Sequence, residues 1–285
     1  MEILQQTFEV FRDLIYNKSG IYLSDKNKKI FENRIQKRLH QLKIDTYEDY
    51  LSQIIQGRTN NDEVNYLVDT ITVKETLFFR NMSQLRAFEK VVFPEILKNK
   101  LNVEGGSIRI LSAGCSSGEE PYTIAIILHD KFQKEMNTVN LEIVGMDISE
   151  QILNEARQGI FSAHALQEVD SYFREKYFSR VDNGYHLSED IVKMVKFQIG
   201  NLMDEGNLHL LGNFDIIFCR NVLIYFDRNS KARALNSLSN LLNPGGFLFV
   251  GRSESLHGIP HNLKLIHFQN AMGYQKPGNP KKNIF

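Results

Sequence analysis

The chain has 285 residues, 42% of them hydrophobic and 24% charged, which excludes a disordered or collagen-like chain. Its 34 basic and 34 acidic residues cancel, against a general nucleic-acid binder, and two cysteines outside any C-x-x-C or zinc-type cluster cannot build a disulfide framework. No apolar run approaches the ~18 residues of a bilayer span, and the opening Met-Glu-Ile-Leu-Gln-Gln lacks the pattern of a signal peptide, so the expectation is a cytoplasmic protein of about two domains with no direct membrane insertion.

Up to about residue 100 the pattern is helical. Phe8, Phe11, Leu14 and Ile15 keep the three-and-four spacing of a buried helix face. Asp25 is placed to cap a second helix with the stripe Phe31, Ile35, Leu39 and Leu42. Tyr47, Tyr50, Leu51 and Ile54 mark a third helix, and Val64, Leu67, Val68 and Ile71 a fourth. From Ser107 strands alternate with helices. Strands are expected at 108–111, 141–146, 214–218 and 247–250, with helices at 119–132, behind Ser149 and over 228–242, and a turn at Pro244-Gly245-Gly246. Runs at 263–268 and 272–275 read as an antiparallel edge. Between these, Asn183-Gly184 reads as a type I′ hairpin turn, with Val195, Phe197 and Ile199 supplying a third strand of a small antiparallel insert. The expected fold is α/β: a doubly wound, mainly parallel, Rossmann-like sheet with an all-helical N-terminal domain and a small antiparallel β insert. The expected boundaries are 1–72 for the helical domain, 73–100 for a linker and connecting helix, and 101–285 for the sheet domain, with the insert at about 160–199.

Two elements point to a nucleoside ligand. Ser112-Ala113-Gly114-Cys115-Ser116-Ser117-Gly118-Glu119-Glu120 joins the first strand to its helix, where doubly wound sheets bind nucleotides. Its two acids disfavour a pyrophosphate and suit a nucleoside without phosphates or a cationic ligand; S-adenosylmethionine is both. Asp147, directly after the second strand, has the position of an acid that accepts hydrogen bonds from both ribose hydroxyls, although an Asp-x-Ser turn and helix cap is an equal reading. The same loop fits G-x-S-x-G, the nucleophile elbow of serine hydrolases, with Ser116 as nucleophile and Asp215 or Asp227 and then His257 or His261 in the required order. Against it, no strands precede the loop and no HGGG-type oxyanion segment is present. Gly258 and Pro260 between His257 and His261 also argue against a helical metal site, and no metal is expected.

Two further segments place polar groups beside apolar runs: Glu75-Thr76-Leu77-Phe78-Phe79-Arg80, and Phe214-Asp215-Ile216-Ile217-Phe218-Cys219-Arg220-Asn221-Val222-Leu223-Ile224-Tyr225-Phe226-Asp227. On composition alone the first reads as core aromatics beside a solvated Arg, and the second reads equally as a plain buried strand with a polar exit. With Ala113 to Ala125 and Pro244 to Ser255, they resemble the CheR family of chemotaxis protein-glutamate O-methyltransferases. The matching patterns are E-T-x-F-F-R, A-x-x-S-x-G-E-E-P-Y-(S/T)-I-A, F-D-x-I-F-C-R-N-V-x-I-Y-F-D and P-G-G-x-L-F-x-G-x-S-E-S. The resemblance implies methyl transfer from S-adenosylmethionine to glutamate carboxylates of chemoreceptors in chemotactic adaptation, leaving S-adenosylhomocysteine. It implies a cofactor site of Lys74, Thr76, Arg80, Ala113, Gly114, Glu120, Asp147, Asn201, Leu202, Arg220 and Asn221. In it Asp147 holds the ribose, Glu120 faces the methionine amino group, and Arg80 and Tyr225 stand catalytically beside the sulfonium and the incoming glutamate. Lys74 departs from the Asn of many members.

Lys26, Lys28, Lys29, Arg34, Lys37, Arg38 and Lys43 make the second helix basic, either a solvated face or a docking surface for the cytoplasmic domain of an acidic receptor, with the β insert as a second contact. Some members of the family tether to a receptor's C-terminal peptide through a longer insert loop; the short hairpin here implies no such dependence. A methyltransferase of another substrate and a non-catalytic cofactor-sensing module are the alternatives.

Overall fold

Apolar segments that alternate with amphipathic helices beyond residue 100 need both faces of a sheet covered, and the computed structural model, which describes residues 2–57, 62–72, 75–101, 105–136 and 138–278, shows that arrangement. The chain divides into two compact units, Met1–Val73 with Tyr225–Lys231, and Lys74–Ile224 with Ala232–Phe285.

The first unit holds α1 (Gln5–Ser19), α2 (Lys28–Leu42), α3 (Tyr47–Ile55) and α4 (Asp62–Ile71). Its core is aromatic: Phe31 lies 5.7 Å from Phe8 and 5.4 Å from Phe11, and Phe11 lies 5.9 Å from Tyr50. The Tyr50 hydroxyl donates to buried Glu63, 2.6 Å away, and Glu63 also pairs with Arg38. Arg38 and Tyr50 together hold that carboxyl below its usual value despite burial. Asp25 does not cap α2. It opens a 3₁₀ turn, Asp25–Asn27, closed by a capping box in which the Asn27 side chain accepts from the Ser24 backbone N–H at 3.0 Å. Residues 225–231 return to this unit, with Tyr22 N–H donating to the Tyr225 carbonyl at 3.0 Å and the Tyr16 hydroxyl to Asp227 at 3.3 Å.

The second unit begins with α5 (Met82–Ala87), a π-helical turn (Phe88–Val92) and α6 (Phe93–Leu101). Then follow β1 (Ser107–Ala113), α7 (Glu119–Lys131), α8 (Gln133–Met136), β2 (Asn140–Asp147) and α9 (Glu150–Gln158). The insert is β3 (Ile160–Phe161), α10 (Ser171–Tyr177), β4 (Phe178–Val181), β5 (Gly184–Leu187) and α11 (Glu189–Val192). The chain ends with β6 (Val195–Ile199), α12 (Glu205–Leu208), β7 (Phe214–Cys219), α13 (Arg228–Leu241), β8 (Leu242–Val250), β9 (Lys264–Phe268) and β10 (Ala271–Gln275). Seven strands form one sheet in the order β6-β2-β1-β7-β8-β10-β9, with β6 to β8 parallel and β10 and β9 antiparallel. The topological switch lies between β1 and β7. Cys115 and Cys219 follow and end these neighbouring strands; both thiols are buried and free.

Three local expectations are corrected. Val195–Ile199 is no part of the antiparallel insert: it pairs in parallel with β2 at the edge of the main sheet, leaving β3-β5-β4 as the smaller one. Its alternating pattern is that of a half-covered edge strand, which either sheet would accept. The hairpin turns at Asp182-Asn183, because Val181 pairs with Gly184, and neither turn residue has positive φ. Gly184 instead serves close approach, since a Cβ there would lie 2.3 Å from the Phe161 carbonyl oxygen. Pro244-Gly245-Gly246 is a bulge within β8, around which the register with β7 shifts between Phe214 and Ile216, and Gly245 donates to the Lys276 carbonyl at 3.0 Å.

At the amino edge of the sheet the charges answer one another. Arg109 pairs with Glu142 at 2.6 Å, directly opposite in the β1–β2 register, and Lys196 reaches the same carboxylate from β6 at 2.9 Å. Buried Asp215 accepts from Lys100 at 2.8 Å, Asn243 at 2.8 Å and the Arg109 backbone N–H at 3.0 Å. Glu119, in the first turn of α7, is also buried but is answered chiefly by the Ser117 hydroxyl, 2.7 Å away, so burial pushes its pKa from 4.5 to about 7.

These two carboxylates predict opposite outcomes. Asp215→Ala strands a lysine and two polar donors and should cost about 2–4 kcal/mol in urea denaturation with an unchanged slope. Glu119 costs nothing while protonated below pH 4.5, and the cost of its charge grows as pH rises towards 7. Glu119→Gln should therefore match the wild type at pH 4.5 and exceed it above pH 7 by up to about 3 kcal/mol; an equal difference at both pH values would refute the assignment.

Candidate functional site

The carboxyl ends of β1, β2, β6, β7 and β8 carry nearly every residue that the sequence singled out. Ala113 ends β1, and the chain leaves the sheet through Gly114, whose φ is +74° and whose Cβ, if present, would lie 2.4 Å from Val222 Cγ2. Only glycine fits both constraints. The backbone N–H groups of Gly114 and Cys115 donate to the Met146 carbonyl at 2.7 and 3.0 Å, and that of Ser116 to Asp147 Oδ2 at 2.8 Å. Asp147 Oδ1 accepts from Ser149 N–H at 3.1 Å, and the Ser149 side chain caps α9. Asp147 is thus both the acid after strand two and the Asx turn. The loop after β6 closes beside it, as Gly200 donates to the Asp147 carbonyl at 3.0 Å, bringing Asn201 and buried Leu202 to the same edge.

Glu120, in the first turn of α7, accepts from the Ser112 hydroxyl at 2.6 Å and pairs with Arg220 at 3.3 Å. Glu120, expected to face the methionine amino group, already has Arg220 as a partner within the protein. Arg220 is 8% exposed, its guanidinium donates to the backbone carbonyl of Arg80, and its Nε, also buried, has no partner among the described residues. Burial raises the Glu120 carboxyl and lowers the Arg220 guanidinium, and their mutual attraction opposes both shifts.

The aromatics of the Glu75–Arg80 segment are core residues. Phe78 is fully buried edge-on against Phe161 (4.7 Å) and Phe178 (5.0 Å) of the insert, and Phe79 stacks on Phe173 at 4.9 Å. Phe79 has φ +56°, an unfavourable value for an aromatic residue, and its N–H donates to the Thr123 hydroxyl at 3.0 Å. These anchors leave Arg80 half-buried, its Nη1 donating to the Glu75 carbonyl at 3.2 Å. Thr76 is half-buried in the same segment; Lys74 lies outside the described residues. Arg80, Asn81, Asn221, Arg252 and Ser253 line a cleft of about 500 Å³. Tyr225 belongs to the other compact unit.

One residue escaped the sequence reading. Glu254 accepts from Asn221 N–H (2.9 Å), Ile224 N–H (3.0 Å) and Gly251 N–H, so a single carboxylate ties the loop after β7 to the loop after β8. Its signal was the Ser253-Glu254-Ser255 stretch, to which no role was attached. The hydrolase reading fails on position. Asp215 sits at the start of β7, at the opposite edge from Ser116, with its oxygens engaged there, and Asp227 lies in the first unit. Among the described residues, no three His, Cys, Asp or Glu gather as metal ligands, and no helix is long and apolar enough to cross a membrane.

The pieces fit S-adenosylmethionine: an acid after strand two, glycine-lined backbone at the first loop, and a buried Arg–Glu pair that offers a carboxylate and an unpartnered Nε–H to an amino acid's two charges. Comparison with known proteins agrees. Residues 74–272 match the CheR methyltransferase, SAM binding domain, and residues 6–72 the CheR methyltransferase, all-alpha domain. The chain is 37% identical to Chemotaxis protein methyltransferase 2 of Vibrio cholerae, covering 96% of this chain and 93% of that one. It is 35% identical to the Chemotaxis protein methyltransferase of Borreliella burgdorferi over 89% of each. It is also 31% identical to the Probable biofilm formation methyltransferase WspC of Pseudomonas aeruginosa, over 90% of this chain and 58% of that protein. With both family models in order along nearly the whole chain, the chain belongs to the CheR family of S-adenosylmethionine-dependent methyltransferases.

Proposed function

We propose that this methyltransferase esterifies glutamate side chains in the cytoplasmic domain of chemoreceptors. The observation that carries the reading is the coupling of Arg80 to the buried Glu120–Arg220 pair through its own carbonyl, which supports a cation at the 500 Å³ cleft where an acidic acceptor would enter. Asp147 is assigned to the ribose hydroxyls, Asn201, Leu202 and Thr76 to the adenosine surroundings, and Glu120 and the Arg220 Nε–H to the methionine ammonium and carboxylate. Arg80 is assigned to the acceptor.

The chemistry asks for little else. A glutamate with an ordinary pKa near 4.3 is ionised at pH 7, so one carboxylate oxygen can attack the sulfonium methyl without a general base. The C–O bond forms as the C–S bond breaks, its electron pair goes to sulfur, and two opposite charges vanish. In-line positioning and exclusion of water supply most of the acceleration.

Receptor docking is assigned to the basic α2. Lys26, Lys29 and Lys37 are exposed, whereas Arg34 donates to the Thr70 carbonyl and Arg38 is committed to Glu63, with its guanidinium 4.2 Å above the Tyr66 ring. Lys29 is itself paired with Glu32 at 2.9 Å, so Lys37 and Lys26, in the turn ahead of α2, carry the attraction. The likeness to WspC supports a second reading, a methyl-accepting receptor outside chemotaxis, with the same chemistry.

Labelled S-adenosylmethionine with receptor cytoplasmic fragments should yield base-labile methanol; label stable to base, or transfer to RNA, would overturn the proposal. Asp147→Ala should weaken S-adenosylhomocysteine binding at least about tenfold in calorimetry, since a hydrogen bond to a charged acceptor contributes about 1.5–3 kcal/mol. Lys26→Ala with Lys37→Ala should slow methylation at low salt and converge on the wild type at high salt, with no dependence on the receptor's C-terminal tail. Strong tail dependence and flat salt dependence would overturn this docking mode.

A further inference from the structure

Arg252 stands at the one position of Gly251-Arg252-Ser253-Glu254-Ser255 that the family pattern leaves open, and no role has yet been attached to it. It lines the 500 Å³ cleft with Arg80 and Asn221, and also a neighbouring hollow of about 300 Å³ walled by Gln84, His267 and Met272. Its side chain is exposed and makes no hydrogen bond or ion pair among the described residues. The nearest acid in sequence, Glu254, is occupied by three backbone N–H groups and does not compete for it. Those bonds also fix the backbone on which Arg252 stands: the N–H of Gly251, its neighbour, is one of the three, and a Cβ on Gly251 would lie 2.5 Å from Glu254 Oε2. An exposed guanidinium on a clamped loop, lining one cleft with Arg80, is poised for an anion that arrives from solvent.

Resting on the proposed glutamate acceptor, we propose that Arg252 is an acceptor-binding residue: its guanidinium holds one oxygen of the acceptor carboxylate at the cleft mouth and leaves the other to attack. The assignment has a consequence for turnover. The substrate is an anion and the methyl ester is neutral, so the contact that favours binding of the acceptor disappears on methylation, and product is released from a site that no longer attracts it. Arg80, half-buried and bonded to the Glu75 carbonyl, holds the reacting end, whereas Arg252 selects for charge.

The test uses the full chain, a receptor fragment with acceptor glutamates, and a second fragment with those glutamates replaced by glutamine. Arg252→Ala should raise KM for the first fragment about tenfold, as expected for loss of a charge-assisted hydrogen bond. Affinity for S-adenosylhomocysteine should stay within twofold, and Arg252→Lys should recover part of the loss. Product inhibition by methylated fragment should be the same in Arg252→Ala as in the wild type. An unchanged KM, or an equal loss of S-adenosylhomocysteine affinity, would overturn the assignment while leaving the glutamate reading standing. Methylation of the glutamine fragment at the same rate, or no base-labile ester from the wild type, would overturn both.

Discussion

Burying Glu120 and Arg220 together costs the desolvation of two charges, and the remainder of the carboxyl edge is arranged around making that cost bearable. Ser112 donates to one carboxylate oxygen, Arg220 faces the other, and Arg220 in turn grips the Arg80 carbonyl. Such a pair contributes little net stability, because mutual attraction is largely offset by lost hydration. What it contributes is position. It joins β1, α7, the end of β7 and the Glu75–Arg80 segment, four pieces far apart in sequence, through groups that have no alternative partners once water is excluded.

Backbone strain gathers around the same pair. Phe79, Asn81, Ser116 and Asn221 all have positive φ. Asparagine tolerates that conformation, but phenylalanine and serine do so only where the surroundings insist. Phe79 is held by its stack on Phe173 and the Thr123 hydroxyl, Ser116 by Asp147, and Asn221 by Glu254. In each case the restraint comes from another element, so the loops keep their shape only in the folded unit.

The two edges of the sheet divide their tasks. At the amino edge, Arg109, Glu142, Lys196, Lys100 and Asp215 satisfy one another and fix register. At the carboxyl edge, Arg220 keeps an unpartnered Nε and Arg252 no partner among the described residues. Charges that answer each other hold the fold at the amino edge.

Much of this was legible in the sequence because its carriers are local. Apolar runs such as 214–218 and helical stripes such as Phe31, Ile35 and Leu39 report burial directly, and Asp147, Glu120 and Arg220 stand at element ends, where a parallel sheet collects them. Three features needed the tertiary structure. Whether Val195–Ile199 joins the large sheet or the small one depends on which edge is vacant nearby, and alternation alone reads the same in both. Gly184 looked like a turn residue because glycine serves turns and close approaches equally; only the Phe161 carbonyl decided between them. The roles of Glu254 and Arg252 depend on partners thirty residues or more away, or on having none, and side-chain pairing at that range leaves no periodicity in the chain. Local sequence determined the main elements and which face each buries; the packing of distant loops decided which charges were consumed in holding them.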